Sequence, residues 1–116
     1  MFHLSLPVAD LNACELFYQD TFGATVQPLR DGVSNVRVFE AQLTFHERKD
    51  SAMTIEARTE MHFGHVVSIA DWKVIHARVI EVGIPLVHCT VPARGHRGKL
   101  MVKDPSGNLI EINSSD

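Results

Sequence analysis

The chain is short of cysteine, with Cys14 and Cys89 its only two. Two isolated thiols supply neither a disulfide framework nor the paired spacing of a zinc knuckle, and both are expected to be buried. No stretch approaches the roughly 18 consecutive apolar residues of a membrane span, so no membrane partner is expected. Neither sign of charge dominates either. Eleven Lys and Arg stand against 14 Asp and Glu, a net −3 at neutral pH, and without a basic stripe nothing neutralises a phosphate backbone, which argues against nucleic acid. The opening Met1-Phe2-His3-Leu4-Ser5-Leu6-Pro7 lacks the cationic and small-residue segments of a secretory signal, so a cytoplasmic location is expected.

What remains is ordinary globular material, 45% apolar and 22% charged over 116 residues, enough for one domain with its own core. Seven histidines stand out against that bland background.

Along Phe2-His3-Leu4-Ser5-Leu6-Pro7-Val8 the apolar residues alternate with His3, Ser5 and Pro7, the period of a half-buried strand. Asp10 is a plausible helix N-cap. Leu11, Cys14, Phe17 and Tyr18 then follow at helical spacing, and Gly23 ends the run. Three strands are expected next, at Val26–Leu29, Val33–Phe39 and Ala41–Glu47, with a turn at Arg30-Asp31-Gly32 and a tight, glycine-free one near Glu40. Residues 48–61 are charged and aperiodic and read as a connector.

The same order then returns. A strand His62–Ile69 leads to an acid at Asp71, a helix with Trp72, Ile75, Val79 and Val82 on one face, and a stop at Gly83. Strands Pro85–Thr90, Lys99–Lys103 and Leu109–Asn113 follow, the last two joined by the turn Asp104-Pro105-Ser106-Gly107-Asn108. An offset of 61 residues lays Asp10-Leu11 on Asp71-Trp72, so the chain reads as a duplicated βαβββ module. The fold class is α+β, a single domain over 1–116 with modules at about 1–50 and 62–116. Their sheets are expected to form a curved, barrel-like mixed sheet with a cleft.

Phe2 to Leu11, His62-Phe63-Gly64 and the closing Asp104-Pro105-Ser106-Gly107-Asn108-Leu109-Ile110-Glu111 resemble the vicinal oxygen chelate superfamily, which includes glyoxalases, bleomycin resistance proteins and extradiol dioxygenases. The likeness covers nearly the whole chain. It implies a metal site built from the first strand of each module and the last strand of the chain. The positions concerned are His3, a histidine within 62–65, and Glu111.

Strand parity puts His62 with Gly64 on the ligand side and His65 on the other. His62 nevertheless lies one pleat, about 6.6 Å, from the position matching His3, and Gly64-His65 keeps the order seen in many glyoxalases. His62 is favoured and His65 is the alternative. Two imidazoles and a carboxylate form the facial triad of non-haem Fe(II), the favoured cofactor, although zinc, nickel and manganese accept the same ligands.

On the strand Ala41–Glu47, Gln42, Thr44 and His46 alternate with Leu43 and Phe45, so Gln42 and His46 should face the cleft. Gln42 stands where glyoxalases carry a glutamate or glutamine, and a carboxamide cannot take a proton. His46 is the candidate acid–base group. The resemblance therefore implies a metal-dependent enzyme binding a small substrate through two vicinal oxygens, with extradiol-dioxygenase-like chemistry ahead of a glyoxalase-like lyase or isomerase. A metal-free drug-binding resistance protein is the third reading. A homodimer is expected, since family members pair modules within or between chains. Arg94-Gly95-His96-Arg97 is read as a solvated loop or, alternatively, a clamp for a substrate carboxylate.

Overall fold

Apolar side chains at every second position give a strand one face that must be covered, and a helix following each first strand covers it. The computed structural model describes residues 1–50 and 61–115. Its elements are β1 (Phe2–Val8), α1 (Leu11–Phe22), β2 (Thr25–Arg30), β3 (Val33–Val38), β4 (Ala41–Glu47), β5 (His62–Val67), α2 (Ile69–Val82), β6 (His88–Thr90), β7 (Lys99–Lys103) and β8 (Leu109–Ser114). This is the expected βαβββ order twice over, in two four-stranded mixed sheets with helices. Most of the expected connector, residues 51–60, lies outside the described residues. No helix among the described residues is long and apolar enough to cross a membrane.

By contacts the chain divides into two units. One comprises Met1–Thr54 with Asp104–Gly107, the other Ile55–Lys103 with Asn108–Asp116. The turn between the last two strands thus belongs to the first unit, which the sequence reading did not anticipate.

In the first unit the strand order is β1-β4-β3-β2. The crossover through α1 lets β1 run parallel to β4, with His3 opposite Gln42 and Pro7 opposite His46. Leu6, Val8, Val36, Val38, Leu43 and Phe45 are buried with Cys14 and Tyr18 of α1. The ring of Tyr18 lies 5.1 Å from that of Phe45. Asp10 caps α1 as expected, accepting from the Ala13 N–H at 3.0 Å, and Gly23 closes it at φ 68°.

The Asp104 turn is tied to this unit by buried polar contacts. Tyr18 donates to Asp104 Oδ2 at 3.0 Å, and the Ser106 N–H donates to Oδ1 at 2.9 Å. Ser106 Oγ accepts from the Ala9 N–H at 2.8 Å and lies 3.2 Å from Cys14 Sγ. Burial pushes the Cys14 thiol up to about 11 and outweighs its hydrogen bond to Ser106, so this sulfur stays protonated and unreactive. Burial, and then the charge of Asp104, holds Tyr18 well above the usual phenol range.

In the second unit the order is β5-β8-β7-β6, with β5 parallel to β8. Trp72 and Val79 of α2 are fully buried, and the Trp72 Nε1–H donates to the Ile112 carbonyl at 3.0 Å. Trp72 is therefore core, as expected, whereas Val82 at the last helical turn is exposed.

Three local expectations change. β5 ends at Val67 rather than Ile69, because Ser68 caps α2, accepting from the Asp71 N–H at 3.1 Å. Asp71 itself falls in the first turn, where a carboxylate suits the helix dipole. β6 is His88–Thr90 rather than Pro85–Thr90, since Pro85 has no N–H for the ladder. Cys89 is exposed rather than buried, because it sits on this three-residue edge strand with a neighbour on one side only.

The glycine-free turn between β3 and β4 is real. Phe39 and Glu40 take φ 56° and 59°, the signs a type I′ hairpin requires, where glycine is favoured. Phe39 is held by its ring contact with Phe22, centroids 5.0 Å apart, whereas Glu40 is exposed. A left-handed non-glycine residue costs about 1 kcal/mol. Glu40→Gly is therefore expected to raise the thermal midpoint by a few degrees, and a lowered midpoint in calorimetry would contradict the strained turn.

Candidate functional site

Each sheet leaves the face away from its helix polar. In the first unit the register places His3, Gln42 and Arg37 abreast on neighbouring strands. One pleat further come Ser5, Thr44 and Asn35, where the Thr44 hydroxyl donates to Asn35 Oδ1 at 2.8 Å. His3 is exposed, with Ser5 Oγ 3.4 Å from its Nε2. His46 shares this face but stands four residues beyond Gln42, roughly 13 Å along the strand. The fold thus sets Gln42 beside His3 and keeps His46 apart from both.

In the second unit His62, Gly64 and Val66 of β5 alternate with Phe63, His65 and Val67. Gly64 lies opposite Glu111, and His65 lies opposite the buried Ile112. The parity inferred for His62 against His65 therefore agrees with the register. His62 Nε2 is 2.8 Å from Glu111 Oε2, and Lys99 Nζ is 3.5 Å from Glu111 Oε1. His62 and Glu111 border an open cleft of ≈ 510 Å³, lined also by Phe63, Gly64, His65, Val66 and Asn113.

The contact that makes the pair possible is backbone against backbone. A Cβ on Gly64 would collide with the Glu111 carbonyl, its carbon only 2.6 Å away. Glycine lets β5 close on β8 at the level of the carboxylate, and His62 then reaches it from the same face.

Glu111 is the acid on an otherwise core-like strand that needed a partner, and it has several. Burial pushes its carboxyl up. The hydrogen bond with Asn113, the charge and hydrogen bond of Lys99 and the charge of His62 together pull it below the usual carboxylate value. Asn113 and Lys99 escaped the sequence reading, although alternation along β7 and β8 carries the signal: Lys99 faces Asn113 and Met101 faces Glu111 in the ladder.

Among the described residues no group of three or more His, Cys, Asp or Glu side chains is gathered for a metal. Within the second unit two donors do fit one. The 2.8 Å between His62 Nε2 and Glu111 Oε2 is close to the separation of about 3 Å between neighbouring ligands at ordinary metal–ligand distances. Residues able to hold the ion there are His62 and Glu111, whereas His3 belongs to the first unit.

Two expectations follow. Gly64→Ala should cost about 1–3 kcal/mol, toward the upper end because the obstacle is backbone, and should part His62 from Glu111; chemical denaturation and the His62 ring signals read both, and an unchanged midpoint would count against the close approach. The second concerns pH. A carboxyl held below its usual value adds stability that is complete above the unfolded value near 4.5 and disappears as pH falls through the folded value. The stability gap between the natural protein and Glu111→Gln should accordingly shrink as pH is lowered from 6 to 3, and a gap independent of pH would deny Glu111 its partners.

A family model described as Glyoxalase/Bleomycin resistance protein/Dioxygenase superfamily matches residues 1–112. Virulence protein STM3117 of Salmonella typhimurium is 27% identical over 95% of this chain and 80% of its own length. Among solved structures, lactoylglutathione lyase from Agrobacterium tumefaciens superposes with TM-score 0.73 at 21% identity, covering 99% of this chain and 92% of that one. The fosfomycin resistance protein FosX of Listeria monocytogenes, complexed with Mn(II) and sulfate, superposes with TM-score 0.78 at 17% identity over 100% and 90%.

Proposed function

Because the chain belongs to the glyoxalase/bleomycin resistance protein/dioxygenase superfamily, we propose that it is a metal-dependent enzyme that holds a small substrate through two vicinal oxygens. The observation that carries this reading is the His62–Glu111 pair, an imidazole and a carboxylate directed at one another at 2.8 Å on the wall of an open cleft. His62, Glu111 and His3 are the proposed ligands of a divalent ion. Two imidazoles and a carboxylate favour Fe(II) while accepting Zn, Ni or Mn, and a superfamily member, FosX, is known with Mn(II). Such an ion supplies Lewis-acid stabilisation of negative charge on chelated oxygens.

The chain's own residues do the rest. Asn113 and Lys99 keep Glu111 ionised and therefore able to ligate. Gln42, abreast of His3, orients a ligand or a substrate oxygen without exchanging protons. That neutral side chain is what favours oxidative, extradiol-type cleavage. A lyase or isomerase needs a base beside the ion, and His46, the imidazole on the same polar face, stands roughly 13 Å along the strand from Gln42, so that reading is the alternative.

We further propose a homodimer. β1 and β5 are edge strands, and each carries an apolar side chain more than half exposed, Phe2 at 65% and Val66 at 58%. Edges of this kind are normally covered, and a second copy would do so. With both thiols free, the reducing cytoplasm is the proposed setting.

Chelator-treated protein titrated with Fe(II), Mn(II), Zn(II) and Ni(II) should take up one ion per chain. His3→Ala, His62→Ala and Glu111→Ala should each weaken uptake by about a hundredfold or more. Full occupancy in His3→Ala would remove that residue from the ligand set, and no uptake by the natural protein would leave the drug-binding reading. Oxygen-dependent ring cleavage of catechols by the Fe(II) form, set against conversion of hemithioacetals by the Ni(II) or Zn(II) form, decides between the two chemistries.

A further inference from the structure

The loop leading into β7 offers charge that the proposed ligands do not use. Thr90, His96, Arg97, Gly98 and Lys99 line a second cleft of ≈ 370 Å³, and Glu111 and Asn113 border both this cleft and the one at His62. We propose that the Arg97–Lys99 side of the site binds an oxyanion, so that its substrate carries a carboxylate, phosphonate or phosphate group beside its chelating oxygens.

A run of arginines on a surface is ordinarily just solvated, but this loop is built. The Ala93 and His96 backbones exchange hydrogen bonds at 3.1 and 2.9 Å around Gly95, which takes φ 82°. Gly98 is buried against the core. A Cβ there would lie 2.5 Å from Pro92 Cγ and 2.9 Å from Trp72 Cε2. Its N–H donates to Ser114 Oγ at 2.7 Å, and its carbonyl accepts from the Ser114 N–H at 2.9 Å. The backbone between the two cations is thus fixed to β8, so a ligand has only their side chains left to order.

The charges are also out of balance. Among the described residues neither His96 nor Arg97 takes part in an ion pair. Among the described residues the ion pair of Lys99 is with Glu111, at 3.5 Å, and that carboxylate has a closer partner in His62 at 2.8 Å. A guanidinium presents parallel donors that match the two oxygens of a carboxylate or phosphate, and an ammonium adds a point charge beside them. A divalent ion on Glu111 would leave Arg97 and Lys99 still less compensated, and an anionic substrate group restores the balance. This last step rests on the metal reading, whereas the cationic cleft does not.

The test is therefore made on chelator-treated protein. Amide spectra are recorded during titrations with inorganic phosphate and with acetate at constant ionic strength, with chloride as the control. Saturating shifts at Gly95, Gly98 and Lys99 are expected with one of the two oxyanions, and the one that saturates identifies the phosphate or the carboxylate class. Arg97→Ala should weaken this binding about tenfold or more, and Arg97→Lys should restore part of it. Arg94→Ala should leave it unchanged, since Arg94 borders a different cleft with Lys73 and Pro92. Shifts that merely follow ionic strength, or equal affinity in Arg97→Ala, overturn the proposal. Saturation in protein that takes up no metal supports the anion site while refuting the metal reading, so the two fail separately.

Discussion

The second unit depends on how closely β5 approaches β8 at Gly64. With any side chain there, the Glu111 carbonyl would be displaced, and the ladder that sets His62 against Glu111 would open with it. The constraint is steric and backbone-borne, so neighbouring side chains have no means of relieving it. From that one contact follow the parallel register of β5 with β8, the emergence of His62 and Glu111 on the same face, and the short distance between an imidazole and a carboxylate.

Around Glu111 the charge arithmetic is poised. A half-buried carboxylate on a strand whose neighbours are Ile110 and Ile112 would be costly alone. Asn113, Lys99 and His62 together make its ionised form the favoured one. The ionised form is also the one that the proposed metal ligation requires. Glu111 and Asn113 are shared by the two clefts, and Lys99, which follows directly on the fixed Gly98, reaches Glu111 from the second.

The first unit spends its buried polarity differently. Tyr18, Asp104, Ser106 and Cys14 form a closed set of contacts that fastens the turn after β7 beneath α1. The phenol and thiol there are held protonated by burial, so they serve structure and not chemistry. The opposite face stays polar, with His3 and Gln42 abreast. A sheet with one face committed to the core has only the other on which to place ionisable groups without desolvation cost.

Much of this was legible in the chain. The twofold βαβββ order, the Asp10 cap, the glycine stops, the turn at Asp104–Asn108 and the side on which His62 lies all follow from local periodicity and turn chemistry, which act over a few residues and need no tertiary partner. The motifs at either end carried the family resemblance for the same reason. Other features were decided only by tertiary structure. Alternation puts Lys99 on a face, but the ladder with β8 brings it to Glu111. Nothing local to Gly64 announces the carbonyl opposite it. Ser68 caps α2 and so ends β5 two residues before the alternation does, and the Asp104 turn joins the first unit through a tyrosine 86 residues away in sequence. Short-range preferences determine which elements form and which way their side chains alternate. Which side chains meet is set by register between strands far apart in the chain, and that is settled only when the sheets assemble.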